Sequence, residues 1–262
     1  MQRITIWIIL GSLGAASGVA HAQDRPFVFS VTTASDTTKP RLLVDYDLGV
    51  GEQTFQQGEA NGPEQRIGLQ ASVGRFTLIG RVGVASAGES YRTSSQGEVL
   101  VSLLTRGETG LGVAVGGGVL QEAGGAQLLL TRIVAGRDTA ATRLQGNLLF
   151  QKPLRADRDA FDLITTVGWA LRVNPAWSVG VEAIGEDLEG FWDSAEAEGG
   201  ARLLVGPSVH IAVPQRRWQL SVAGGPSFHP TTSGRTSDAL RNLPPSSGAR
   251  GFAVRTTFAC RF

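Results

Sequence analysis

Residues Trp218–Phe228 have the sequence WQLSVAGGPSF, in which apolar residues alternate with polar or small ones along most of the run. Side chains of a β-strand point alternately to opposite faces, so this run predicts a strand with one apolar and one polar face. Ten residue steps separate the aromatic residues at its two ends. A strand of that length, tilted by about 40°, spans ~25 Å, the height of the apolar band that a transmembrane β-barrel presents to lipid.

The same two-residue period recurs along the rest of the chain. Together with 218–228 it gives twelve candidate strands, at 42–50, 66–73, 76–84, 98–103, 111–119, 127–134, 143–150, 161–173, 177–183, 201–211 and 252–262. Residues 127–134 are apolar on both faces and depart from the alternation. The sequence therefore predicts an all-β fold, a transmembrane antiparallel up-and-down β-barrel of about twelve strands formed by residues 41–262.

The predicted connections alternate between short and long. Short ones fall near 74–75, 106–107, 137–138, 174–175 and 214–215, and longer ones near 51–64, 86–95, 121–125, 151–159, 186–199 and 229–249. Barrels of the outer membrane have short periplasmic turns and longer outer loops. With an even number of strands, both termini are expected on the short-turn side.

Aromatic residues cluster at the ends of the predicted strands. Four are expected at the periplasmic rim, namely Phe76, Trp177, Trp218 and Phe262, and four at the outer rim, namely Phe150, Phe161, Phe228 and Phe252. Such girdles flank the apolar band of membrane barrels. The alternative is that aromatic residues simply favour strands, but that preference does not sort them to strand ends.

The N-terminus has the features of an export signal. Arg3 precedes the mostly apolar stretch 4–13, and Ala20 and Ala22 supply small residues before a cleavage point at Gln23. The alternative, a membrane anchor, is disfavoured because the stretch is short and rich in Gly and Ser. Residues 23–40 are predicted to form an N-terminal periplasmic segment. Its alternating Phe27, Phe29 and Val31 fit a lumen plug, an added edge strand or a disordered segment.

The signal, the alternating strands and the terminal Phe258–Phe262 together resemble bacterial outer-membrane proteins. In that class the C-terminal Phe is a signal for the barrel assembly machinery, which is therefore an expected partner through Phe262, together with outer-membrane lipid and lipopolysaccharide. The resemblance also implies export through the periplasm to the bacterial outer membrane. The stretch that runs from 177–182 to 206–208 resembles outer-membrane transporters linked to the breakdown of aromatic compounds.

The composition limits the other classes of function. The 262 residues carry a formal charge of +1, and charged residues make up 18%, so no basic surface for nucleic acid is indicated. The single cysteine, Cys260, excludes an intramolecular disulfide. No metal-ligand cluster or cofactor motif occurs. Gly116–Gly118 lie within a predicted strand, where close packing or a bend explains them better than phosphate binding.

Catalysis has little support in the sequence, and no enzymatic activity is expected. His210 and His229 are the only histidines after the signal. Outer-membrane lipases and deacylases use a histidine with a nearby serine that faces lipid, whereas His210 and Ser208 fall on the inward phase of their strand. His229 begins the longest predicted connection. Each is expected to be an ordinary lumen or loop histidine.

Charged and polar residues on the strands are expected to face inward, since charge at a lipid-facing position is costly. This predicted lumen-lining set is Asp45, Asp47, Arg66, Arg81, Glu98, Arg143, Asp162, Glu182, Arg202, His210 and Arg255. It favours a narrow channel for passive diffusion of small polar or amphipathic solutes. A closed barrel filled by ion pairs is the main alternative, and a lipid-modifying enzyme comes third.

One further feature is the acidic connection 186–198, which has no Lys or Arg. It fits either a solvated loop or a site for divalent cations near lipopolysaccharide. Arg235, Arg241 and Arg250 in the last connection are candidates to pair with it.

Overall fold

Twelve strands form the wall of a barrel. The computed structural model describes residues 27–33, 40–51, 63–87, 90–105, 110–122, 125–154, 161–192, 201–213, 216–228 and 250–262. The strands are β1 (Arg41–Gly51), β2 (Glu64–Val73), β3 (Phe76–Ala87), β4 (Ser90–Leu104), β5 (Leu111–Gln121), β6 (Gln127–Asp138), β7 (Thr142–Pro153), β8 (Asp162–Arg172), β9 (Trp177–Glu186), β10 (Arg202–Ile211), β11 (Trp218–Phe228) and β12 (Arg250–Arg261). A short 3₁₀ helix, Leu188–Phe191, follows β9.

Each strand pairs with its neighbours in antiparallel fashion, and the pairing of β1 with β12 closes the barrel. The closing register runs from Leu43 opposite Arg261 to Gly51 opposite Ala253. Closure leaves no unpaired sheet edge, which is what a β-structure in lipid requires. The predicted all-β barrel of twelve antiparallel strands is therefore confirmed.

The alternation of side chains separates an apolar exterior from a mixed interior. In β2, for example, Ile67 and Leu69 are exposed while Arg66 and Gln70 are buried. The same exposure of large apolar side chains recurs on every strand except β10. A soluble protein rarely shows so continuous an apolar surface, whereas a lipid-facing wall needs one. Among the described residues, no helix is long and apolar enough to cross a membrane.

The connections follow the predicted alternation only in part. The predicted long connection at 86–95 is wrong, because β3 extends to Ala87, β4 begins at Ser90, and these two residues pair. Polar residues such as Arg92 and Thr93 continue the strand, since backbone pairing needs no apolar side chains beyond the lipid band. The connection after β5 is also short, at 122–126. The N-terminal stretch 1–22, His229, Arg235 and Arg241 lie outside the described residues.

Strand β6 is apolar on both faces because part of the interior is itself apolar. Leu129 and Ile133 are exposed on the outer face, whereas Leu128 and Leu130 are buried in the interior. The two buried leucines belong to an upper apolar cluster near the long-connection end, consisting of Leu120, Leu128, Leu130, Leu149, Ile164, Ile184, Leu204 and Ala253. The barrel thus has an apolar inner surface near its long-connection end, contributed by β5–β10 and β12. The inward set of charged residues did not predict this surface.

The glycines of β5 allow the neighbouring strand to come very close. A Cβ built on Gly116 would lie 2.0 Å from the carbonyl oxygen of Val99, and one on Gly118 would lie 2.0 Å from that of Gly97. Real Cβ atoms do not approach backbone oxygens to this distance. Close strand packing therefore accounts for the glycine run.

Candidate functional site

The structure places the predicted lumen-lining residues inside the barrel. All of them are at most 8% exposed, namely Asp45, Asp47, Arg66, Arg81, Glu98, Arg143, Asp162, Glu182, Arg202, His210 and Arg255. They come from β1–β4, β7–β10 and β12, so the polar lining surrounds most of the lumen. Strand alternation positions them on the inner face. The residues from Asp45 to Glu182 each adjoin an exposed apolar residue of the outer face, whereas the outward neighbours of Arg202, His210 and Arg255 are only partly exposed.

Several of these charges form close ion pairs across the inner wall. Arg132 donates from Nε to Glu98 Oε2 over 2.7 Å and from a terminal nitrogen to Glu98 Oε1 over 2.8 Å. Arg66 donates to Asp47 over 2.7 Å. Thr257 donates to the other oxygen of Asp47 over 2.6 Å. A guanidinium that binds both carboxylate oxygens is held in a fixed orientation, so the Arg132–Glu98 pair forms a rigid part of the lining.

In three more ion pairs, the acidic partner was not among the lumen-lining residues predicted from the sequence. Arg255 donates to Glu64 over 2.7 Å, Arg202 Nε to Glu186 over 2.6 Å, and Arg143 Nε to Asp138 over 2.7 Å. The missed residues Glu64, Asp138 and Glu186 stand at strand ends, where sequence alone assigns them equally to loops. Arg132 was missed because β6 lacks alternation, although an arginine in mid-strand is itself a signal of an inward position.

A segment from before β1 lies within this lumen. We call Phe27–Thr33 the plug segment; Phe27, Val28, Ser30, Val31 and Thr32 in it are at most 2% exposed. Its contacts are with β9, β8, β7 and then β2, so it crosses the barrel from one wall to the other. Part of the segment predicted to be periplasmic therefore lies inside the barrel, the first of the three arrangements that the sequence left open.

Wall side chains bind the backbone of the plug segment. Oε2 of Glu182 accepts from the N–H groups of Val28 and Phe29 over 2.8 and 2.9 Å. Asn147 accepts from the N–H of Val31 over 2.8 Å and donates to its carbonyl over 3.1 Å. From the opposite wall, Gln70 donates to the carbonyl of Thr32 over 2.9 Å. Two further wall contacts are those of Gln145 with the Val31 carbonyl and of Thr166 with the Ser30 hydroxyl.

The apolar side chains of the plug segment occupy separate places. The ring of Phe27 meets the His210 ring edge to face, with centroids 5.4 Å apart. It also lies against Gly168, where a Cβ would come within 2.5 Å of the ring. Phe29 packs on the upper apolar cluster. Val31 joins a lower apolar cluster with Ile79, Leu100, Ala114 and Val134.

Little space remains beside the plug segment. The cavity lined by Phe29, Val31, Arg66, Arg81 and Arg132, among others, has a volume of about 30 Å³. Such a volume holds about two water molecules. In the part of the barrel that the structure describes, the plug segment and the ion pairs together leave no room for a solute in this cavity.

The arrangement around His210 does not match a hydrolytic triad. Its Nε2 lies 3.1 Å from the hydroxyl of Ser208 and 3.7 Å from Oε1 of Glu182. A Ser–His–acid triad needs the serine on one ring nitrogen and the acid on the other, whereas both neighbours here approach the same nitrogen. The ring is also buried and in contact with Phe27, away from lipid.

The predicted girdle residues lie on the outer surface near the strand ends. Phe76, Phe161, Phe252 and Phe262 are 57–65% exposed, Trp177 and Trp218 are 45% and 38% exposed, and Phe150 and Phe228 are partly exposed. Trp218 also stacks on Phe258, with centroids 6.3 Å apart.

Within the acidic connection, Glu186 is paired with Arg202, and residues 193–200 fall outside the described part of the chain. No cluster of three or more metal-ligating side chains occurs among the described residues.

Comparison with known proteins gives a match in structure only. No protein-family model matches the sequence, and the comparison with curated proteins found no match. The NanC porin superposes with a TM-score of 0.57 at 7% sequence identity, covering 83% of this chain and 98% of the porin. The KdgM porin superposes with a TM-score of 0.54 at 10% identity, covering 84% of this chain and 99% of the porin, and a KdgM complex with oligogalacturonate gives the same values. The chain therefore has the fold of outer-membrane porins.

Proposed function

We propose that this chain is a bacterial outer-membrane channel for passive diffusion of small polar or amphipathic solutes, and that the plug segment closes it in the conformation described. Three observations support the location: the apolar exterior, the porin fold and the features of an export signal in residues 1–22. Membrane lipid and lipopolysaccharide are its proposed surroundings.

The observation that carries the proposal is that the plug segment fills the lumen without belonging to the barrel wall. Its polar contacts with the wall are hydrogen bonds to neutral side chains and one carboxylate, each of which can instead bind water. A passage vacated by the segment would be lined by Glu182, Asn147, Gln70 and Thr166, which suit a polar solute. The balance of Arg and acidic residues predicts modest ion selectivity.

Deleting residues 27–33 should turn a channel that conducts weakly or rarely into one that conducts in frequent, larger steps. The reason is that the deletion empties the centre of the lumen while every strand of the wall remains. The measurement is single-channel conductance in planar bilayers, on protein shown to be folded by its heat-dependent shift in gel mobility.

A suitable control is Thr33→Ala, which changes the plug segment at a side chain that carries none of the contacts described above. It should behave as the wild type does. A folded deletion variant that remains silent would reject the channel.

The second candidate is a structural barrel with a closed interior, which the ion pairs favour. Arg132–Glu98 and Arg66–Asp47 narrow the lumen independently of the plug segment. Silence of the folded deletion variant is the result that this candidate predicts. Neither candidate is enzymatic, and the placement of Ser208 and Glu182 on the same nitrogen of His210 supports that part of the proposal.

Assembly is proposed to depend on the last residue. Phe262 is 65% exposed, and its N–H and carbonyl both bond to Leu42 where the barrel closes. Phe262→Asp should lower the amount of folded, heat-modifiable protein in the outer membrane several-fold, since a charge replaces the aromatic signal at the rim. Phe262→Tyr keeps the aromatic ring and should assemble normally. Equal amounts of the Asp and Tyr variants would show that the terminal side chain is incidental to assembly.

A further inference from the structure

The hydrogen bonds that hold the plug segment are directed mainly at its backbone. Glu182 and Asn147 accept from three of its N–H groups, and Asn147, Gln145 and Gln70 donate to its carbonyls. One side chain of the segment, that of Ser30, has a described hydrogen bond, to Thr166. Backbone groups are the same in every peptide, so most of the polar contacts would be available to a different sequence.

The Asn147 side chain illustrates this best. Its carboxamide accepts from the N–H and donates to the carbonyl of the same residue, Val31, as the backbone of a neighbouring antiparallel strand would. Arg132 donates to the same Asn147 oxygen over 3.4 Å, which helps to fix the carboxamide in that orientation. Asn147 is 3% exposed, so the amide is held in a buried site.

The apolar contacts define which side chains would fit. An aromatic ring suits the place between His210 and Gly168, because a wall glycine leaves room for the ring. The upper and lower apolar clusters accept apolar side chains two and four residues further along. The required pattern is therefore an aromatic residue followed by apolar residues at alternate positions in an extended chain.

We propose that the wall around the plug segment is a binding site for extended peptides with this pattern, which enter when the segment leaves. This site would give the proposed channel a class of ligand. It rests on the proposed function in one respect, namely that the plug segment can leave the lumen. The site consists of Glu182, Asn147, Gln145, Gln70, Thr166 and the place of the Phe27 ring.

The test uses the folded variant that lacks residues 27–33, in detergent micelles, with fluorescently labelled peptides and a readout of anisotropy. One probe has the sequence FVFSVTT. A second has Tyr, Leu and Ile at the positions of Phe27, Phe29 and Val31. A third is FVFSVTT with methyl groups on the amide nitrogens that correspond to Val28, Phe29 and Val31.

The first two peptides should bind, and the methylated one should bind at least about tenfold more weakly, because it loses hydrogen bonds to a carboxylate and an amide. Asn147→Leu should weaken the first two by about tenfold as well. The matched control Thr77→Val, at a buried wall residue bonded to Ser72, should not. Equal binding of the methylated peptide would mean partition into micelles and would overturn the proposal, as would failure of FVFSVTT to bind.

Should the deletion variant fail to fold, the full chain with Phe27→Gly, Phe29→Pro and Val31→Pro takes its place, because it lacks the Phe27 ring and two of the N–H groups that the wall binds. Conductance measured in parallel separates the two proposals. If a variant binds peptide but shows no conductance in bilayers, the proposed peptide site stands and the proposed channel is rejected. A conducting variant that binds no peptide retains the channel and rejects the site.

Discussion

Arg132→Met should lower the free energy of unfolding by about 3–5 kcal/mol, because it leaves the Glu98 carboxylate buried without its main partner. The Glu98 side chain is 0% exposed and receives two hydrogen bonds from Arg132. Arg81 also acts electrostatically on Glu98, which favours the lower end of that range. Urea unfolding in lipid vesicles, followed by tryptophan fluorescence and gel mobility, measures the change.

The double variant Arg132→Met with Glu98→Leu should recover most of the lost stability, since replacing a buried pair by apolar residues is often neutral or stabilising. The neighbouring lower apolar cluster provides suitable surroundings for the new side chains. Lys152→Met is the matched control. Lys152 is an exposed cation over the Phe161 ring at the rim, so its replacement should lower the free energy of unfolding by only about 0.5–1 kcal/mol. If Arg132→Met alone were as stable as the wild type, water in the lumen would have to solvate the Glu98 carboxylate.

Gly118→Ala should destabilise the barrel by about 1–3 kcal/mol or more, because the added methyl group overlaps a backbone oxygen that cannot move without disturbing strand pairing. The Cβ of the new alanine would lie 2.0 Å from the carbonyl oxygen of Gly97. This oxygen belongs to the backbone, so it cannot turn away as the end of a flexible side chain could. The same unfolding measurement applies, with the fraction of heat-modifiable protein as a second readout.

The control for this change is Gly97→Ala, on the paired strand. A Cβ on Gly97 has open space around it within 4 Å. This variant should retain the stability of the wild type or gain about 0.4–1 kcal/mol from reduced freedom of the unfolded chain. Similar losses in both variants would contradict the close approach of β4 and β5.

The barrel itself could be predicted from sequence because lipid imposes a simple rule on every strand. Charge must face inward and apolar side chains outward, so the sides occupied by Arg66 and Ile67 follow from alternation alone. The ends of β3 and β4 were wrongly predicted because that rule acts only within the lipid band. Beyond it, polar residues such as Arg92 and Thr93 continue the pairing.

The partners inside the lumen could not be predicted in the same way. Arg255 and Glu64 are 191 residues apart in sequence and meet only because β1 pairs with both β12 and β2. Alternation assigns a face to a residue but does not assign its neighbour across the wall. The plug segment posed a similar difficulty, since alternation of Phe27, Phe29 and Val31 suits a sheet edge as well as a lumen.

The covalent link between the plug segment and β1 has a kinetic consequence. Seven residues separate Thr33 from the first residue of β1, so the segment stays at an effective concentration on the order of millimolar near its own site. A free peptide of equal intrinsic affinity must reach that concentration to displace it. In the proposed channel, the return of the segment to its site would therefore be a first-order process whose rate is independent of protein density in the membrane, and each barrel would close on its own.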